Sequence, residues 1–204
     1  MTTHINLVKQ IEKKYDIILA SQSIRRQQLL GCIGFKFKLA EKIEIDESAP
    51  NNLDYLEAVE YIALKKANAI KHKITKTQLI ITCDTVVVYN NKIMGKPKSR
   101  EEAVAFLKTL SGHKHEVVSG CCIMDINKFI TFHDITSVWF DNITDNDIAY
   151  YVNKYKPFDK AGAYGIQEWI GMIGISQIEG SYFNVMGLPT HKLYKELGNF
   201  LQTM

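Results

Sequence analysis

A carboxylate in the middle of an apolar strand needs a chemical reason. Asp84 falls between Leu79-Ile80-Ile81-Thr82-Cys83 and Thr85-Val86-Val87-Val88. Burial there is costly unless the group is paired, metal-bound or protonated. A structural ion pair accounts for it as well as a catalytic role does, until two lysines are considered. Lys96 lies in Met94-Gly95-Lys96-Pro97, just after a hairpin, and Lys66 lies on a long helical segment. At about 100° per residue, Lys66 falls beside the apolar stripe of Val59, Ala63 and Ile70, where it either snorkels or meets a ligand. Lys65 is expected to point away, to solvent.

A second signal is Leu19-Ala20-Ser21-Gln22-Ser23-Ile24-Arg25-Arg26. A strand ends, a short turn follows and a helix begins with Arg25 and Arg26 in its first turn. The helix dipole disfavours cations at that end. A bound anion removes the conflict, with the Ser21 and Ser23 hydroxyls, free N–H groups and the guanidinium groups all offered to phosphate. A solvated arginine pair is the plain alternative.

Glu44-Ile45-Asp46-Glu47-Ser48 alternates like a strand end. This places Glu44, Asp46 and Ser48 on one face and Glu47 on the other. Glu47 could join Asp84 at a divalent cation, whereas without other evidence the segment is a solvated acidic loop. Further on, the glycines of Asp159-Lys160-Ala161-Gly162-Ala163-Tyr164-Gly165-Ile166-Gln167 allow backbone to approach a ligand, and the Gln167 amide can both donate to and accept from a base edge.

The elements that must carry these residues can be read from pattern. An amphipathic N-terminal helix is expected from Ile5, Val8, Ile11 and Tyr15, a charge-interrupted pattern unlike that of a secretory signal. A short strand over 17–20 leads to a helix capped by Ser23 and stopped at Gly31 and Gly34. A long helix covers 52–71, with Leu53, Leu56, Val59, Ala63, Ala67 and Ile70 inward. A strand over 79–88 turns at Asn90-Asn91. A helix over 101–110 precedes strands near 116–126 and 129–140. A helix over 145–155 follows Thr144 and stops at Pro157. A glycine-dotted loop over 160–174, a strand near 175–178 and a helix opening at Pro189 with a Leu193, Leu197 and Leu201 stripe complete the chain. Interleaved helices, hairpins and isolated strands imply an α/β fold with a mixed sheet.

The chain has 204 residues, 46% hydrophobic and 23% charged, with a formal charge of +3. This is an ordinary globular composition with no dense basic stripe for a polyanion. No uncharged apolar run approaches the ~20 residues of a membrane span. Cys32, Cys83, Cys121 and Cys122 form no CxxC pair and are expected to be buried reduced thiols of a cytoplasmic protein. GxxxxGK[ST], HExxH and GxSxG are absent, and His113 and His115 make a poor metal site.

Together these segments resemble the Maf family of nucleotide pyrophosphatases. The resemblance is carried by LASQSIRRQQLL (19–30), IDES (45–48), ALKKA (63–67), CDTVVV (83–88), GKP with EEA (95–97 and 101–103), LSGHKHEVVSG (110–120), DKAGAYGIQ (159–167) and GSYFNVMGLP (180–189). It implies a single domain over 1–204 with residues 1–16 as a helical extension. The implied architecture is a mixed central sheet flanked by helices, two-lobed and inosine triphosphate pyrophosphatase-like. It also implies a divalent cation, Mg²⁺ or Mn²⁺, and a homodimer.

By the same resemblance Asp84 is the catalytic aspartate, and Ser21, Arg25, Arg26, Lys66 and Lys96 bind the phosphates. Glu47, with Asp84, holds the metal; the residues alone leave open the exchanged roles, with Asp84 a metal ligand only and Glu47 the base. Arg25, Thr85 and Gln167 match the selectivity positions of the branch that hydrolyses dTTP and UTP to the monophosphate and pyrophosphate. The sequence departs from the family at Ile24, where proline is usual, at Glu168, where glycine is usual, and at Lys98-Ser99-Arg100, which lacks the usual acidic residue. A non-enzymatic nucleotide- or nucleic-acid-binding regulator of cell division is the competing reading, and the same hydrolysis in a house-cleaning role on modified nucleotides is a third.

Overall fold

The computed structural model describes residues 4–42 and 44–202. The side chains of residues 4–6, with Ile5 of the N-terminal apolar set, lie outside the described part. The elements in order are α1 (His4–Lys14), β1 (Asp16–Leu19), α2 (Ile24–Cys32), β2 (Phe37–Leu39), α3 (Tyr55–Lys71), β3 (Gln78–Tyr89), β4 (Lys92–Met94), α4 (Arg100–Leu110), β5 (Lys114–Met124), β6 (Phe129–Phe140), α5 (Asp145–Tyr155), a 3-10 turn (Ala161–Ala163), α6 (Trp169–Gly174), β7 (Ile175–Glu179), α7 (Tyr182–Val185) and α8 (Thr190–Gln202). The strands follow the order β2-β1-β3-β5-β6-β7, with β4 paired to β3. The sheet is mixed, as expected: β1 runs parallel to β2 and β3, while β4 and β7 pair antiparallel to β3 and β6.

The chain forms two compact units. The first comprises residues 4–84, 119–134 and 187–202, the second 85–118 and 135–186. In the first unit the parallel register Ile17↔Leu79 and Leu19↔Ile81 ends β1 just before Ser21. The core under α3 gathers Ala63, Ala67, Ile70, Ile80, Cys122 and Met124. The backbone of α3 approaches β5 closely at Gly120, where a Cβ would stand 2.3 Å from the Val59 carbonyl carbon. Only glycine permits that approach, and the approach sets the position of the helix that carries Lys66. The helix α1 is integral to this unit: Ile11 is fully buried, and Tyr15 below it donates to Asp125 Oδ2 at 2.9 Å.

In the second unit one core joins Val87, Leu107, Val117, Phe140, Tyr151 and Ile170. Asn90 and Asn91 both take positive φ, 48° and 59°, as a tight hairpin requires. His115 is buried, with Nε2 2.7 Å from the Tyr164 hydroxyl. Burial lowers its pKa to about 4, so it stays neutral and serves packing.

Several boundaries differ from the sequence expectation. The helix α2 continues through Gly31 to Cys32, and only Gly34, at φ 95°, breaks it. The helix α3 begins three residues later than expected, at Tyr55, because Asp54 forms a capping box with Glu57. Its inward face includes Ala58 and Ile62, while Leu53 and Leu56 are only half-buried. Residues 44–48 form no strand: Asp46 Oδ1 accepts the Ser48 N–H at 3.0 Å, a local turn that competes with extended pairing. The expected loop over 160–174 contains α6. Phe200, not Leu201, completes the buried face of α8. Cys32 is exposed, unlike the other three cysteines, and all four are free.

Candidate active site

The first unit brings together most of the residues singled out from sequence. Lys66 sits at its centre. Its Nζ lies 2.7 Å from Asp84 Oδ1 and 3.1 Å from Glu47 Oε2. The Lys66 and Asp84 side chains are only 15% and 17% exposed, against 49% for Glu47. Two carboxylates from distant parts of the chain thus share one ammonium, which offsets the burial of Asp84 on β3. Lys65 is held apart from this group, as its helical phase requires. It is tethered by Asp46 at 3.2 Å and does not run free into solvent.

The start of α2 lies in the same unit. Ser23 caps the helix, accepting the Arg26 N–H at 3.4 Å. Ser21 Oγ accepts the Ser23 N–H at 3.2 Å and Arg26 Nη1 at 3.4 Å. One N–H expected to face phosphate is therefore already satisfied by the cap. Arg26 Nε donates to the Gly187 carbonyl at 2.7 Å. This role for Gly187 was not legible from GSYFNVMGLP, because a carbonyl acceptor leaves no mark on residue type. Ile24, the departure from proline, is the first residue of α2 and is 68% exposed. The Ser23 cap starts the helix without proline.

Two cysteines, Cys83 and Cys121, are buried beside Arg26. Cys83 Sγ lies 3.4 Å from the Gly187 carbonyl. Burial opposes ionisation at Cys83, but a hydrogen bond with Cys121 and the Arg26 guanidinium bring its thiol below the ordinary cysteine value. Burial also opposes the charge on Arg26, yet Cys83, Asp84, Cys121 and Glu47 together hold its pKa above the usual arginine value. Arg26 is therefore a permanent cation that feels the Asp84 and Glu47 carboxylates, and its planar guanidinium is of the kind that recognises phosphate.

The second unit carries Thr85 on β3, Lys96 after β4, and Gln167. Lys96 is exposed and Gln167 half-buried. The Gly162 N–H donates to the Gly95 carbonyl at 3.1 Å, tying the loop before Gln167 to the turn that bears Lys96. A Cβ on Gly162 would stand 2.7 Å from Val87 Cγ2. Gln167 Oε1 is buried and makes no hydrogen bond among the described residues. Such an acceptor is costly unless a ligand completes it.

Glu47 and Asp84 also suit a hard divalent cation. Both are oxygen donors already drawn to one cationic atom, and among the described residues no group of three or more His, Cys, Asp or Glu side chains gathers. Magnesium is commonly held in this way, by one or two carboxylates with water and substrate phosphates completing the shell.

Residues 16–200 match the family model described as Maf-like protein. The chain is 50% identical over 188 residues to a protein of Parabacteroides distasonis named dTTP/UTP pyrophosphatase, covering 92% of this chain and 97% of that one. A Flavobacterium johnsoniae protein of the same name is 43% identical, covering 94% of this chain and 98% of its own. Among solved structures, the Staphylococcus aureus Ham1 protein matches with a TM-score of 0.50 at 18% identity, over 89% of this chain and 99% of that one, a likeness of fold.

Proposed function

Because the chain belongs to the Maf-like family, we propose that it hydrolyses dTTP and UTP to the nucleoside monophosphate and pyrophosphate. The observation that carries this reading is the Lys66 ammonium shared by Asp84 and Glu47, in the unit where Arg26 is fixed at the start of α2. Two strongly similar relatives bear the name of this activity.

In the proposed reaction, Arg25, Arg26, Lys66 and Ser21 take up phosphate charge on the first unit, and Lys96 does so on the second. Lys66 fixes Asp84 through Oδ1, and Asp84 removes the proton from the attacking water. The water oxygen bonds to the α-phosphorus as the α–β anhydride bond breaks and pyrophosphate leaves. Such chemistry is largely positioning and charge stabilisation, so fixed cations and one base suffice. Glu47 and Asp84 would hold a divalent cation, Mg²⁺ or Mn²⁺, which when bound polarises a phosphoryl oxygen.

Base selection falls to Arg25, Thr85 and Gln167. The imide edge of uracil or thymine presents an N3–H donor beside an O4 acceptor. Gln167 Oε1, buried without a partner, suits the first and its Nε2 the second. Residues 1–204 are proposed to act as one domain of a cytoplasmic homodimer. No helix among the described residues is long and apolar enough to cross a membrane.

A panel of UTP, dTTP, CTP, ATP, GTP and 7-methyl-GTP, compared by kcat/KM, tests the substrate assignment. UTP and dTTP are expected to lead by about tenfold or more. Preference for 7-methyl-GTP or a purine overturns it. Tight dTTP binding without turnover would favour the regulatory reading instead.

A further inference from the structure

Glu168, at the position where the family usually has glycine, is tied into a network that no catalytic role requires. Its Oε1 lies 3.1 Å from Lys160 Nζ, a lysine side chain only 8% exposed, and the same ammonium meets Asp159 at 2.7 Å. Its other oxygen accepts a short hydrogen bond from the Tyr151 hydroxyl. Tyr151 is fully buried on α5, and its hydroxyl in turn accepts the Gly165 N–H at 3.1 Å. Burial and the Glu168 carboxylate both push the Tyr151 phenol upward, so the hydroxyl keeps the proton that it donates.

The network brackets Gln167 along the chain, at Gly165 and at Glu168. An added Cβ on Gly165 would stand 3.0 Å from Glu168 Cδ and 3.1 Å from Gln167 Nε2, so both side chains fold over the same backbone atom. The Glu168 N–H closes back on the Gly165 carbonyl at 3.0 Å. The segment 165–168 is thus pinned at Gly165 by Tyr151 and at Glu168 by Lys160, with Gln167 between the two pinned residues.

Orientation matters for an amide. Uracil offers a donor at N3 and an acceptor at O4, whereas cytosine offers an acceptor at N3 and a donor at N4. A glutamine free to rotate its amide satisfies either base, and one held in place separates them.

We propose that Glu168, through Lys160 and Tyr151, is a positioning residue that fixes the Gln167 amide and so sets discrimination between uracil and cytosine nucleotides. The inference rests on the reading of Gln167 as the base-contacting residue.

The test compares kcat and KM for UTP and CTP in Q167A, E168A, E168Q, Y151F and the double variant Q167A/E168A. Q167A should lower the UTP-to-CTP ratio of kcat/KM by about tenfold or more. E168A should lower it about fivefold, mainly through KM for UTP, with kcat within about threefold. The double variant should match Q167A alone, since Glu168 acts through Gln167. E168Q, which keeps a partner for Tyr151, should recover much of the ratio. If E168A does not fold, Y151F decides, with the same loss of ratio expected.

An unchanged ratio in Q167A overturns the base-contact reading and the inference with it. A changed ratio in Q167A with an unchanged ratio in E168A and Y151F overturns the inference alone. So does an equal loss of activity on UTP and CTP in E168A, or an additive loss in the double variant.

Discussion

Asp84→Asn is expected to lower kcat for UTP by about 10²–10⁴-fold, the usual worth of a general base, with little change in KM. Asparagine keeps the shape of the side chain and an oxygen for Lys66 Nζ, which now stands 2.7 Å from Asp84 Oδ1. What it loses is the negative charge and the ability to take a proton. Lys66 retains Glu47 at 3.1 Å, so the variant does not strand a buried ammonium. A purely structural Asp84 makes the opposite forecast, a lowered Tm with kcat nearly intact. Pyrophosphate release and thermal unfolding, measured on the same preparation, separate the two. Release at the wild-type rate would remove Asp84 from the reaction.

Arg26→Ala is expected to lower kcat/KM for UTP by about 10²–10³-fold, comparable to removing one fixed donor from a site that stabilises developing charge. Arg26 binds Ser21 Oγ and the Gly187 carbonyl, so the alanine variant loses both a cation and the link between the start of α2 and residue 187. Arg26→Lys restores charge without the planar fork and should fall between alanine and wild type. Steady-state kinetics on the three proteins provides the comparison. A value for Arg26→Ala within about threefold of wild type would mean that the arginine is structural and that the charge at this helix start serves no phosphate.

The elements were legible where side-chain chemistry is local. Ser23 and Thr144 each cap the helix that follows them, and Asn90-Asn91 turns the hairpin. The phase of α3 separated Lys66 from Lys65 because burial follows the helical period. The structure pairs Lys66 with both Asp84 and Glu47.

What escaped the sequence is nonlocal. Nothing in the residue types places Gly187 under Arg26, or Cys121 beside Cys83 on a neighbouring strand. The segment 44–48 alternates like a strand, but Asp46 and Ser48 satisfy each other locally and hold it as a turn. The short helix α6 follows a glycine-rich run that reads as loop. Gly171 belongs inside it, since a Cβ there would stand 2.0 Å from the Ile166 carbonyl oxygen. Glu168 registered only as a departure from the family, and its ties to Lys160 and Tyr151 span 8 and 17 residues of chain.

The central claim is that water attacks the α-phosphorus of a pyrimidine nucleoside triphosphate. Its most direct test is hydrolysis of UTP in water enriched in oxygen-18, followed by mass analysis of both products. Attack at the α-phosphorus places one labelled oxygen in UMP and none in pyrophosphate. Label in pyrophosphate, or release of UDP and orthophosphate, would contradict the account.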